Sequence, residues 1–231
     1  MTLDSAAQWI AAMGGLGAAS YGLVDVTKAF WGGPSRVGFA GIRRVVGELL
    51  GADQGEPPSL LSKAVLLGSL KASWINGVPF DEQKEMAKSF IRERLSAKTA
   101  PDLARELGIA PAALTAAASA RDAGHPLGDE EQAAYEKFGY ALSVVVDAAY
   151  QRADQAYRNF AKLLATLIGI ALAGIGGYFL SGRADVGDYV SHADFAKSLL
   201  FGLLAAPFAP ISKDLASVLQ ALAKALALAK K

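Results

Sequence analysis

Apolar residues in this chain gather into three uncharged stretches, with a long region of helical periodicity between the first two. The clearest is Leu163 to Leu180, LLATLIGIALAGIGGYFL, flanked by Lys162 and Arg183. A bilayer hydrocarbon core needs roughly 20 such residues in a helix, so this stretch predicts a transmembrane span. Ser5 to Val24, SAAQWIAAMGGLGAASYGLV, is long enough but rich in Ala and Gly. Asp4 is the only charge before it, so it lacks the basic leading region of a secretory signal and reads as a retained span. Its GGLGAAS run has no strand ahead of it and no acidic residue at the expected distance, where Ser35 and Arg36 stand, so it is no dinucleotide loop. The third stretch, Ser198 to Ser212, is short for a full crossing at ~1.5 Å per residue. It reads as a proline-kinked third span.

The region between is helical by pattern. PSRVGFAGIRRVVGELLG sets Val37, Ile42, Val45, Val46, Leu49 and Leu50 against Arg36, Arg43, Arg44 and Glu48. An amphipathic helix with such arginines suits phospholipid headgroups. An ordinary packed helix with a solvated basic face fits the same residues. GADQGEPPS reads as a loop. LLSKAVLLGSLKASWI reads as a buried helix, and FDEQKEMAKSFIRERLSAK as a helix with acids at its start and bases at its end.

TAPDLARELGIAPAAL, Thr99 to Leu114, resembles the helix-turn-helix of bacterial repressors. Thr99 stands at the first cap, Leu103 and Ala104 point inward, Gly108 makes the turn, and Ile109 and Leu114 anchor the second helix. That helix offers Thr115 and Ser119 but no Arg, Lys, Asn or Gln before Arg121. Base reading needs those side chains, so a packed hairpin is expected and sequence-specific duplex DNA is not.

After GHPLG a long helix begins, with Asp129 as its expected cap and Gln132 as capping-box partner. No proline interrupts it before the end of the second span. Tyr135, Phe138, Leu142 and Val145 make one stripe, and Val146, Tyr150, Ala153, Tyr157, Phe160 and Leu164 a second. Two stripes predict two partners, one within the domain and one in a neighbouring subunit. The helix would cover roughly 50 residues, or ~75 Å.

Composition narrows the chemistry. There is no Cys, and His125 and His192 are the only histidines, so neither a thiolate site nor a metal-ligand spacing is present. Formal net charge is +1, which gives no nucleic-acid footprint. P-loop and nucleophile-elbow motifs are missing, so no enzyme, catalytic residue, metal or cofactor is expected. Basic residues set a direction. Lys28, Arg36, Arg43 and Arg44 follow the first stretch, and Arg152, Arg158 and Lys162 precede the second. Asp185, Asp188 and Asp194 outnumber Arg183 in the loop beyond it. Basic flanks stay in the cytoplasm, so the N-terminus faces out, with the central domain and C-terminus inside a bacterial plasma membrane.

The expected layout is therefore all-α. Residues 1–30 form an N-terminal span, 31–161 a helical cytoplasmic domain and 162–182 a second span. Residues 183–197 form an outer loop, and 198–231 a kinked span with an amphipathic tail. Gly169, Ala173 and Gly177 give the second span a small-residue face for close helix packing. In the last segment, Ser198, Gly202, Ala205 and Ala209 form a small stripe that continues into Lys213, Ser217, Gln220 and Lys224. Around a rotation axis this would line a pore with a polar inner vestibule. An amphipathic helix packed in the cytoplasm is the competing reading of the tail.

The combination of spans, helical domain and tail APFAPISKDLASVLQALAKAL resembles small helical membrane effectors of bacterial anti-phage defence, such as the Hailong-type channel effector. The resemblance implies a homo-oligomeric channel in the lipid bilayer, gated by a nucleotide or oligonucleotide signal. A non-conducting membrane scaffold that recruits a partner protein is the alternative.

Overall fold

A computed structural model of the chain describes residues 3–51, 62–211 and 218. The described residues are helical, without strands. The helices are α1 (Leu3–Trp31), α2 (Gly33–Leu49), α3 (Lys63–Ile75), α4 (Phe80–Glu93), α5 (Ala100–Leu107), α6 (Pro111–Asp122), α7 (Asp129–Ser181), α8 (Val186–Val190) and α9 (Ala193–Phe208). Two of them, α1 and α7, are long and apolar enough to cross a membrane. The third expected span is represented by α9, which has 16 residues and carries Pro207 in its last turn. Lys213, Ser217, Gln220 and Lys224 lie outside the described residues.

The chain divides into a terminal unit, residues 1–34 and 158–231, and a central unit, residues 35–157. The helix α7 contributes to both. α1 ends at Trp31 because Gly32 and Gly33 follow with φ of 84° and 43°. A side chain there would meet the strain of the left-handed region, which glycine escapes.

The central unit is built on a single core. Ile42, Leu70, Ile91, Leu95, Leu114, Phe138, Leu142 and Val146 are all at most 1% exposed. Trp74 organises one end of it. Its indole N–H donates to the Ser35 carbonyl at 3.0 Å, and its ring stacks on Phe80 at 5.5 Å with Tyr150 and Tyr157 beside it. Gly38 lets α2 approach this cluster, since a Cβ there would lie 2.6 Å from the Trp74 ring and 3.0 Å from the Ala153 carbonyl oxygen. The two stripes expected on α7 merge here. Phe138, Leu142, Val146, Tyr150 and Ala153 line the same core, with Tyr135, Val145 and Tyr157 packed at its margin. A row of apolar residues spaced three and four apart drifts round the helix, so one partner surface accommodates both. The second stripe up to Tyr157 thus packs within the chain.

Two caps differ from expectation. Gly128, not Asp129, precedes α7, and its N–H donates to the Glu131 carboxylate at 2.9 Å, while Gln132 bonds Glu136. Glu131 is the residue three places after Gly128, the position from which a side chain reaches back to the cap. Thr99 precedes α5, but its hydroxyl donates backward to the Arg94 carbonyl at 2.6 Å and accepts from the Ser96 N–H. The hairpin of α5 and α6 turns at Gly108, φ 65°, with Leu103, Ala104, Ile109 and Leu114 buried. Arg121 donates to the Arg92 and Leu95 carbonyls at the end of α4.

Candidate functional site

In the terminal unit, three helices meet along a seam of small residues. α1 and α7 run antiparallel, so that Trp31 meets Phe160 edge-on at 6.2 Å at one end of the seam. α9 fits against both. A Cβ added to Gly169 on α7 would lie 2.9 Å from the Gly202 carbonyl oxygen of α9 and 3.2 Å from the Ser20 hydroxyl of α1. One added to Gly202 would lie 2.6 Å from both the Gly169 carbonyl oxygen and the Ile170 Cα. Gly17 sits closer still to the Ala205 carbonyl, and its Cβ would be 2.7 Å from that of Ala209. Gly177 faces the Ser198 and Tyr189 hydroxyls. Ala173 is buried between Gly169 and Gly177 on the same face of α7, and Val24, Ala165 and Ala206 form a further small cluster.

The residues expected to line a path are therefore engaged inside this unit. Gly202 and Ala205 are buried against α7 and α1. Ser198 donates to the Asp194 carbonyl at 3.0 Å and accepts from the Tyr189 hydroxyl at 2.9 Å. Ala209 is half-buried beside Gly17. At Gly202 and Ala205 the backbones approach so closely that the chain's own helices cover this part of the stripe.

A different surface of α1 is open. Gln8, Ala11, Gly15, Ala18, Gly22 and Asp25 are all exposed. Their spacing alternates three and four, which keeps them on one face. A Cβ at Gly15 or Gly22 would meet nothing within 4 Å. Asp25 pairs with Lys28 at 2.7 Å at the end of that face. The remaining outward surface of the unit is strongly apolar, including Leu23, Val26, Leu163, Leu167, Ile175 and Leu203. Of the most apolar windows of α1 and α7, only 22% and 17% are buried.

Aromatic rings collect at both ends of the unit. Trp31 and Phe160 mark one end. Trp9 against Phe201, and Tyr178, Tyr189 and Phe195 in mutual edge contact, mark the other. Along α1, Trp9 and Trp31 are separated by about 33 Å at 1.5 Å per residue. The short segment at the second end is held by Arg183, whose guanidinium pairs with Asp188 at 2.8 Å, and by the Asp185 carboxylate, which accepts from the Asp188 N–H at 3.0 Å. A hydrogen bond from Lys197 holds the Asp194 carboxyl below its ordinary range, with Lys197, His192 and Arg183 charges adding to the effect.

In the central unit, Arg36, Arg43 and Arg44 are exposed on one side of α2. A cleft of about 150 Å³ lies beside Arg94 and is lined by Glu48, Asp102 and Glu106. Three carboxylates against one guanidinium make a poor seat for a phosphate-bearing ligand. Among the described residues no cluster of His, Asp and Glu could hold a metal ion. The chain matches no protein-family model, no curated protein and no solved structure.

The open face of α1 is the feature that the sequence pattern concealed. Small residues occupy both this face and the packed one, so only the contacts of Gly17 and Ser20 reveal which side is covered.

Proposed function

We propose that this chain is an integral membrane protein that assembles as a homo-oligomeric channel, controlled by its helical central unit on the cytoplasmic side. The observation that carries the reading is the surface of the terminal unit. Most of its apolar windows are uncovered, and the aromatic rings at its ends are spaced like the two interfaces of a bilayer. The channel axis is assigned to the open face of α1, in place of the Gly202–Ala205 stripe. Lipid gives no hydrophobic drive for helix association, so a face of Ala and Gly favours contact with a second copy. Around an axis, Gln8 would stand at the outer mouth and the Asp25–Lys28 pair at the inner one, a ring of matched charges with little preference between cations and anions. The exposed Arg36, Arg43 and Arg44 of α2 suit anionic headgroups.

A non-conducting scaffold is the second reading, favoured by the tight burial of Gly202 and Ala205. The layout shared with anti-phage effectors suggests a nucleotide or oligonucleotide as the opening signal.

Ion flux from purified full-length protein in liposomes separates the two. Flux that falls in Gly15→Leu and turns towards anions in Asp25→Asn, which leaves the Lys28 charge unmatched, supports the channel. Since a Cβ at Gly15 meets nothing in the chain, that variant leaves the fold intact. Flux indifferent to both changes removes α1 from the path. Chains that associate through α1 without conducting, with candidate nucleotides present, would make the protein a scaffold.

A further inference from the structure

The terminal unit contains a groove of about 540 Å³ between α1, α7 and α9, within the size range of small-molecule sites. Its walls are Trp9, Leu16, Leu172, Leu180 and Phe201, and Gly176 and Ala12 leave it wide. Polarity is confined to one mouth, where Asp194 and Lys197 pair at 2.9 Å beside Ser181. We propose that this groove holds one acyl chain of a zwitterionic phospholipid, with the lipid phosphate on Lys197 and its ammonium on Asp194.

Three features select that occupant. The slot is apolar along its length and charged only at the end, which matches an amphiphile and not a second transmembrane helix. Its charged mouth lies beside the Tyr178, Tyr189 and Phe195 rings, the level at which headgroups sit if the unit crosses a bilayer. The mouth carries both signs, and the neighbouring Arg183 is itself matched by Asp188 at 2.8 Å. A balanced pair complements a phosphate and an amine together, where an anionic head would leave Asp194 opposed. Leu180, 90% exposed, lies at the rim, so the groove opens onto the unit's apolar exterior. A lipid would enter sideways from the bilayer. The inference rests on the membrane reading given above.

The test is native mass spectrometry of the full chain in mild detergent, titrated with phosphatidylethanolamine or phosphatidylglycerol. Wild type should retain one phosphatidylethanolamine per chain through delipidation and hold phosphatidylglycerol at least tenfold less well. Gly176→Leu should lower phosphatidylethanolamine retention at least tenfold. A Cβ at Gly176 meets nothing within 4 Å, so the new side chain fills the slot without displacing backbone. Ala12→Leu fills it from the opposite wall and serves if the first variant melts early. Leu167→Ala, on the exposed apolar surface and outside the groove, should retain lipid as wild type does. The double change Asp194→Ala with Lys197→Ala should abolish the preference between the two lipids. Retention unchanged in Gly176→Leu and Ala12→Leu, or lowered as much by Leu167→Ala, overturns the assignment while the membrane reading stands. A chain that sediments free of membranes and needs no detergent overturns both.

Discussion

At single positions, the closest helix approaches set the sharpest expectations. Gly169 and Gly202 face one another so tightly that a methyl group on either meets backbone oxygen. Overpacking of this kind costs about 1–3 kcal/mol, so Gly202→Ala should lower the melting temperature in detergent by several degrees. Gly15→Ala, which adds the same methyl group in open space, should leave it unchanged or slightly raised. Equal melting of the two variants would mean that the seam is not tightly packed. The small-residue spacing of Gly169, Ala173 and Gly177 was readable from the sequence, and so was a small stripe on the last helix. What periodicity could not supply was the pairing of the two. Ala and Gly on several faces of α1 and α9 leave no apolar contrast to say which side turns inward.

Among the elements, α7 shows how two stripes in a sequence can share one packing surface. Phe138 through Tyr157 were legible as core candidates, but their two stripes serve one core because the apolar row precesses along the helix. Tyr150 lies at the middle of this row, 1% exposed, and its hydroxyl donates to the Gln83 carbonyl at 3.3 Å. Burial pushes its phenol well above the ordinary tyrosine range. The neutral form is the one the fold holds. Its stabilisation is complete below the unfolded-state value of about 10 and is lost as pH rises past it, because the unfolded chain releases the proton first. Thermal melts from pH 8 to 11 should therefore fall more steeply for wild type than for Tyr150→Phe. The variant itself should cost about 1 kcal/mol at neutral pH, for the lost hydrogen bond. Parallel pH curves for the two would remove Tyr150 as the cause. On α4, Lys88 is nearly buried between Glu85 at 3.0 Å and the α7 carboxylate of Asp147 at 3.7 Å. Asp147→Ala leaves it one partner, and the expected cost is about 1 kcal/mol, read by urea denaturation at low salt and shrinking in high salt.

For the whole molecule, the sequence delivered the all-helical class and two helices apolar enough to span, because length and uncharged composition are local properties. The proposed path for ions was not legible in the same way. It depends on which faces remain open once α1, α7 and α9 have packed, and that is a property of three segments together. The proposed orientation rests on the basic residues at the Trp31 and Phe160 end and the acidic segment around Asp185 and Asp188. A cysteine at Gly187 should react with an impermeant thiol reagent from outside intact cells, and one at Gly124 should stay protected until the cells are opened. The reverse pattern would invert the topology.

The central claim is that the open face of α1 meets other copies of the chain, and disulfide mapping in native membranes tests it without needing the channel to be open. The protein has no cysteine of its own, so each introduced thiol reports alone. Mild oxidation of Gly15→Cys, Ala18→Cys and Gly22→Cys should yield disulfide-linked dimers. Leu23→Cys, further round α1, and Leu167→Cys, on the exposed apolar surface of α7, should remain monomeric. No dimer at residues 15, 18 and 22, or dimers of equal yield at 23 and 167, would contradict an assembly built around α1.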